Sequence, residues 1–102
     1  MSNITITFQQ VIDMFMDGCT EGYSGTKKNQ GNLRIKGDQI IHYNTPIAER
    51  FENKYILNTT RYSLETGQLQ KKIKASISDE KRIDVKRVPP DTKLSLSSYI
   101  EK

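Results

Sequence analysis

The chain has 102 residues, of which 34% are hydrophobic, and a formal net charge of +4. This length fits one domain and excludes two domains with independent cores. The apolar share is low for a globular protein, so we expect a thin core and some loosely held segments. Because a domain of this size gains stability from extra buried surface, a homodimer or a larger partner would be an economical way to complete it.

Targeting and membrane signals are not evident in the sequence. The first 16 positions lack a basic leader region and contain polar residues throughout. No apolar run approaches the roughly 20 residues that cross a bilayer. Cys19 is the one cysteine, which excludes an intramolecular disulfide and favours a reducing compartment. We therefore expect a cytoplasmic protein that does not contact a membrane.

The N-terminal part predicts one helix followed by a loop. Apolar residues recur at the helical spacing from Phe8 to Phe15, Thr5 or Thr7 can serve as N-cap, and Asp17-Gly18 is a stop signal. Glycines, Ser, Thr, Asn and Lys dominate residues 18–31, a composition that predicts a long loop.

The middle of the chain predicts strands. Apolar or alternating runs occupy 33–36, 39–43, 47–51 and 55–59, with turn signals between them. The run at 47–51 either forms its own strand or extends the one before it. The prediction is therefore a three- or four-stranded antiparallel meander.

The C-terminal part predicts a second helix from about residue 64 or 66 to residue 77, because Leu69, Ile73 and Ile77 recur at every fourth position. Residues 81–88 alternate like one more strand, and Pro89-Pro90 breaks the chain before a short terminal helix or ordered arm.

These elements describe an α+β domain over residues 1–88 with a C-terminal extension at 89–102. The predicted core consists of the apolar side chains on the inward faces of the helices and strands. These are Phe8, Val11, Ile12, Phe15, Leu33, Ile35, Ile41, Tyr43, Tyr55, Leu57, Leu69 and Ile73.

Residue types that carry catalysis or hold metals are scarce. A zinc site needs about four Cys or His ligands, and the chain offers only His42 and Cys19. His42 lies within a strand pattern, which favours a structural role or simple exposure. Gly22-Tyr23-Ser24-Gly25 lacks the full nucleophile-turn motif. We therefore predict a protein that is not an enzyme and has no metal or cofactor.

Basic residues are concentrated in the predicted sheet and second helix, where they can meet phosphates. Tyr23, Tyr43, Tyr55 and Tyr62 offer stacking surfaces for unpaired bases. The polar run at 58–61 ends a strand, and we favour a backbone-capping role for it over ligand binding. The predicted binding residues are Arg34, Lys36, Arg50, Arg61, Lys71, Lys72 and Lys74.

The segments YNTPIAER at 43–50 and YILNTTRYS at 55–63, followed by a basic helix with Gln, resemble short uncharacterised proteins of bacteriophages and other mobile elements of Gram-positive bacteria. The resemblance spans residues 32–77. It implies a small phage-type protein acting inside a bacterial host, and such proteins commonly bind nucleoprotein machinery, including defence nucleases.

Three functions fit these observations. The first is binding of nucleic acid or a nucleoprotein complex through the basic sheet and helix. The second is inhibition of a host defence effector, in the manner of anti-CRISPR proteins, by protein–protein contact. The third is a structural or assembly role in a virion or plasmid system.

Overall fold

The computed structural model describes residues 6–26 and 28–100. The alternative N-cap Thr5, Lys27 of the predicted loop and residues 101–102 of the predicted extension lie outside the described part. The described elements are helices α1 (Phe8–Met16) and α2 (Leu64–Ser76), strands β1 (Glu21–Gly25), β2 (Gln30–Lys36), β3 (Gln39–His42), β4 (Thr45–Phe51), β5 (Lys54–Asn58) and β6 (Arg82–Val85), and 3₁₀ helices at Asp79–Lys81 and Leu96–Tyr99.

Helix α1 begins at a capping box. The Thr7 hydroxyl accepts a hydrogen bond from the Gln10 N–H, and the Gln10 side chain accepts one from the Thr7 N–H. Val11, Ile12 and Phe15 are buried on one side of the helix. The predicted helix is confirmed because its cap and its apolar face agree.

The described strands form one six-stranded sheet in the order β1-β2-β3-β4-β5-β6. Neighbouring strands run antiparallel from β1 to β5, whereas β6 lies parallel to β5 after the crossover through α2. The α+β class is confirmed. The sheet is mixed and larger than the predicted meander, because residues 47–51 lie in a strand of their own and two further strands join.

Strand β1 and the first residues of β2 lie inside the stretch that the sequence predicts as a loop, so the prediction of a loop over 18–31 is wrong. Glycines of β1 and of the facing part of β2 permit close packing. A Cβ at Gly22 would lie 2.8 Å from Cε of Met14, and a Cβ at Gly31 would overlap Oγ of Ser24. The glycines that predict a loop are thus needed in these strands, because neighbouring parts of the chain approach their backbone closely.

The two faces of the sheet are covered differently. Both helices pack on one face, here called the inner face, and bury the main core there; its members are Val11, Ile12, Phe15, Leu33, Ile35, Ile40, Ile47, Ala48, Leu57, Leu69, Ile73 and Ile77. On the opposite, outer face, the C-terminal segment (residues 86–100) covers β5 and β6 with a smaller cluster of Ile56, Val85, Val88 and Leu96. The outer face of β1 to β3 is left more open.

Strand β3 corrects the predicted core. Ile40 pairs with Ile35, and His42 pairs with Leu33, so residues 40 and 42 point inward. Ile41 is buried but pairs with Arg34 on the outer face. The expectation of a buried Tyr43 is wrong: its side chain is 58% exposed in a turn with φ 58°. The prediction places residues 41 and 43 on the inner face, whereas the strand places residues 40 and 42 there, a shift of one residue.

Arg50 on β4 joins three parts of the fold on the inner face. Its guanidinium donates hydrogen bonds to the backbone carbonyl oxygens of Phe15, Cys19 and Gly37. It also lies 4.3 Å above the centre of the Phe15 ring. The cation thereby satisfies carbonyls at the C-terminal end of α1, where a positive charge is favourable.

Replacing Arg50 with Ala should lower the free energy of unfolding by about 2–3 kcal/mol, because hydrogen bonds from a charged donor contribute roughly 1.5–3 kcal/mol each and several carbonyls lose their partner. Arg50→Lys should recover only part of this loss, since an ammonium lacks the planar set of donors. Urea denaturation measures the difference. Exposed Arg34, replaced by Ala, is the matched control and should change stability by less than about 0.5 kcal/mol.

Glu49 on β4 anchors the C-terminal segment to the outer face. Its carboxylate accepts hydrogen bonds from Gln39 Nε2 at 2.7 Å, from the Leu96 N–H at 3.0 Å and from the Ser95 hydroxyl. Glu49 is only 6% exposed. This buried carboxylate is therefore satisfied by donors at the start of the second 3₁₀ helix, and Leu96 enters the outer cluster beside it.

Glu49→Ala should release this anchor. The Leu96 N–H and Ser95 hydroxyl would lose their acceptor, at a cost of about 2–3 kcal/mol in unfolding free energy. Hydrogen exchange should show faster exchange over 92–100, with β2 and α1 unchanged. Exposed Glu52→Ala is the control, and equal protection of 92–100 in both variants would contradict the anchoring role.

Candidate functional site

The predicted binding residues lie on two sides of the sheet. Arg34 and Lys36 alternate with buried Leu33 and Ile35, so their side chains project from the outer face. The lysines of α2 lie on the helix that covers the inner face. The predicted continuous basic surface is therefore divided into two regions, which we describe separately.

The first region is a concave surface between α2 and the chain that leads into it. Arg61, Lys71 and Lys74 line a cavity of about 220 Å³ with Leu57, Tyr62 and other residues. We call this cavity the basic groove. Three of the predicted binding residues, two from α2 and one from the chain before it, thus meet around one depression.

Hydrogen bonds of the 58–60 segment hold one wall of the basic groove in place. The Asn58 side chain donates to the Pro46 carbonyl and to the Tyr62 hydroxyl, both at 2.9 Å, and accepts from the Thr60 N–H. Gln70 of α2 donates to the Asn58 and Thr60 carbonyls. The segment therefore has a structural role, in line with the capping interpretation, and it leaves Arg61 exposed at the rim.

No acidic residue lines the basic groove within the described residues. Salt bridges elsewhere in this part of the chain engage His42, Arg50 and Arg82, and none engages the three cations of the groove. Arg82 shows the contrast, because its hydrogen bond to Asp79 raises the pKa of its guanidinium. The groove is thus an unneutralised positive site that is open to an anion.

Helical geometry separates Lys72 from the other lysines of α2. Successive residues turn by about 100°, so Lys71 and Lys74 lie on the side that carries Gly67, and Lys72 lies on the other side. Gly67 has open space where a side chain would begin, with no heavy atom within 4 Å of a Cβ. Gly67 lines the groove, so the lack of a side chain there leaves the groove open one helical turn before Lys71.

The second region lies on the outer face. Arg34 and Lys36 line two adjoining grooves, one of about 580 Å³ over β1 and β2 and one of about 770 Å³ beside the C-terminal segment. Lys93 of that segment lines the larger groove as well. Arg50 belongs to neither basic region, because its donors are bound to backbone carbonyls inside the fold.

The tyrosines suggested for base stacking have different surroundings. Tyr55 packs against Phe15, with its ring centre 6.0 Å away. Tyr62 donates to the Val88 carbonyl at 2.6 Å. Tyr43 packs edge-on against the buried His42 ring. Tyr23 lines the smaller outer groove and forms no aromatic pair with any residue in 6–26 or 28–100.

His42 has a structural position. Its Nδ1 lies 2.9 Å from the Thr66 hydroxyl, and its Nε2 lies 3.3 Å from a Glu65 carboxylate oxygen. The imidazole is 1% exposed and Thr66 is also buried, so this hydroxyl–imidazole–carboxylate group joins β3 to the start of α2 without access for a substrate. Among the described residues, no group of three or more His, Cys, Asp or Glu side chains is placed to hold a metal ion.

Comparison with known proteins gives no relative: no family model, curated protein or solved structure matches the chain. In residues 6–26 and 28–100, no helix has both the length and the apolar character needed to span a membrane. The sites themselves therefore carry the functional argument.

Proposed function

We propose that this protein is a non-catalytic nucleic-acid-binding protein that contacts phosphates through the basic groove. One observation carries the proposal: Arg61, Lys71 and Lys74 surround a depression that no carboxylate of the described residues lines. Cations in such an arrangement attract polyanions and release their counterions on binding. The ligand class is the phosphate backbone of DNA or RNA, alone or within a nucleoprotein complex.

The chemistry of the groove suits phosphates of a chain better than a small carboxylate ligand. Arg61 offers planar paired donors, and the two lysines provide mobile point charges about one helical turn apart. The Tyr62 hydroxyl and the Gln70 amide already bond to protein carbonyls. Few donors remain to read a base, so the proposed contact positions the nucleic acid and is independent of its sequence.

The resemblance to phage proteins adds a setting to this proposal. A phage-type protein with this groove would act in the cytoplasm of a bacterial host, on free nucleic acid or on a host nucleoprotein or defence complex. This setting is inferred only from the sequence resemblance over residues 32–77.

Reversing two charges of the basic groove should abolish most binding. Lys71→Glu with Lys74→Glu should weaken affinity for a short oligonucleotide at least tenfold and flatten the log–log dependence on salt concentration by about 1.4, or roughly 0.7 for each lost phosphate contact on a single strand. Fluorescence anisotropy at several salt concentrations measures both quantities.

The matched control is Lys72→Glu with Lys86→Glu. It changes the net charge by the same amount, but neither residue lines the basic groove. Affinity should fall by less than threefold in this control. Equal losses in the two double variants would show a general charge effect and contradict the groove as the binding site.

A second function is favoured by exposed apolar side chains near His42. Leu64 is 88% exposed at the start of α2, next to the Glu65 that bonds to His42, and Tyr43 packs on the same imidazole. A Tyr at positive φ is unusual, and such positions cluster at functional sites. With these two side chains, the protein could dock on a host defence effector and act as its inhibitor. We call this pair of side chains the docking point.

A capture experiment from nuclease-treated bacterial lysate distinguishes nucleic-acid binding from docking on a host effector. If the docking point binds a host effector, Tyr43→Ser with Leu64→Ser should lose a defined complex that the Lys71/Lys74 double variant retains. Leu94→Ser, which removes another exposed apolar side chain, is the control. A complex that survives the Tyr43/Leu64 change would exclude this surface.

A further inference from the structure

The outer face of the sheet presents a long, walled surface that the basic groove does not include. The two outer grooves share Arg34 and Lys36, so they form one continuous path across β1 to β3. Asp91, Thr92 and Lys93 of the C-terminal segment make the wall on one side. Each groove falls in the range of about 300–1,000 Å³ that is usual for ligand sites.

Tyr23 provides an aromatic surface on this path. It is directly opposite Arg34 in the β1–β2 pairing, and residues that oppose each other in an antiparallel pair share a face of the sheet. Its side chain is partly exposed and lines the smaller groove with Arg34 and Lys36. An aromatic ring beside two cations combines the contacts that bind bases and phosphates.

Two of the acidic residues that line the larger groove are held by other groups of the protein. The carboxylate of Glu49 is occupied by hydrogen bonds from Gln39, Ser95 and Leu96. That of Asp38 lies 3.7 Å from the Arg50 guanidinium. Within the described residues, Asp91 and Glu21 also line the path, with Glu21 opposite Lys36 in the β1–β2 pairing, against the three cations at positions 34, 36 and 93.

We propose that the outer grooves bind single-stranded nucleic acid, with an unpaired base stacked on Tyr23 and the flanking phosphates held by Arg34 and Lys36. This inference rests on the proposed function and narrows its ligand from nucleic acid in general to strands with unpaired bases. It also adds a contact region on the sheet face opposite the basic groove.

A duplex does not fit this surface in the same way. Stacking on a side chain requires an exposed base face, which a duplex offers only at its ends. Several polar side chains along the path are occupied: Gln39 bonds to Glu49, and the Thr92 hydroxyl lies 2.7 Å from that of Tyr99. The outer grooves therefore bind by stacking and charge, with little preference for base sequence.

Anisotropy with a 12-nucleotide single strand and the matching duplex tests this inference. Tyr23→Leu should weaken binding of the single strand by about 5- to 150-fold, the range expected for one base stacked on an aromatic ring, and leave duplex binding unchanged. Tyr23→Phe, which keeps the ring, should bind within twofold of the unaltered protein. Leu94→Ser removes an exposed apolar side chain that lines neither outer groove; it is the matched control and should also bind within twofold.

Arg34→Gln gives a second variant at an exposed position, which tests the surface if Tyr23→Leu is poorly folded. It should weaken single-strand binding and reduce the salt dependence by about 0.7. Because the chain has five tyrosines and no tryptophan, stacking should also quench tyrosine fluorescence, and Tyr23→Phe should reduce this quenching. DNA and RNA strands of one sequence show whether the sugar matters.

The outcomes distinguish the two proposals. If the Lys71/Lys74 double variant loses binding while Tyr23→Leu and Arg34→Gln bind the single strand like the unaltered protein, the outer-face inference is overturned and the basic groove stands. If the unaltered protein binds neither strand nor duplex, the proposed function itself fails. Loss of single-strand binding in Tyr23→Leu, with Tyr23→Phe unaffected, supports the inference.

Discussion

The hydrogen bonds of the Glu49 carboxylate determine which part of the outer sheet face stays open. By holding Ser95 and Leu96, this side chain directs the C-terminal segment over β5 and β6 and places residues 91–93 beside β2 and β3. A buried carboxylate is costly unless donors satisfy it. The position of Glu49 therefore fixes where the C-terminal segment crosses the sheet. The outer grooves lie on the part of the outer face that this segment does not cover.

Arg50 has a comparable role on the inner face. It joins the end of α1, the connection to β1 and the β2–β3 turn through their carbonyl oxygens. The two charged residues are neighbours on β4 and point to opposite faces, so one strand organises both layers. Their cost in desolvation is offset by multiple hydrogen bonds, which explains charged side chains at the centre of a domain with few apolar residues.

The two proposed binding regions use cations that form no salt bridge within the described residues. Arg61, Lys71 and Lys74 meet in the basic groove, which no described carboxylate lines, and Arg34 and Lys36 stand beside Tyr23 on the other face. The two regions lie on opposite sides of the sheet, so a flexible strand or a nucleoprotein complex could engage both. This arrangement differs from a single basic stripe, because charge reversal in one region leaves the other intact.

The sequence alone determined both helices, the α+β class and the residue types available for binding, because apolar spacing and caps are local properties. Strand β1 was missed because the glycines of 22–31 allow close packing that only a folded neighbour reveals. The inward positions of Ile40 and His42, with Tyr43 outside, came from strand register, which is a property of pairs of strands. Tertiary structure also decided that Arg50 is internal and that Tyr23 lies beside Arg34 and Lys36, because each depends on which distant segments meet.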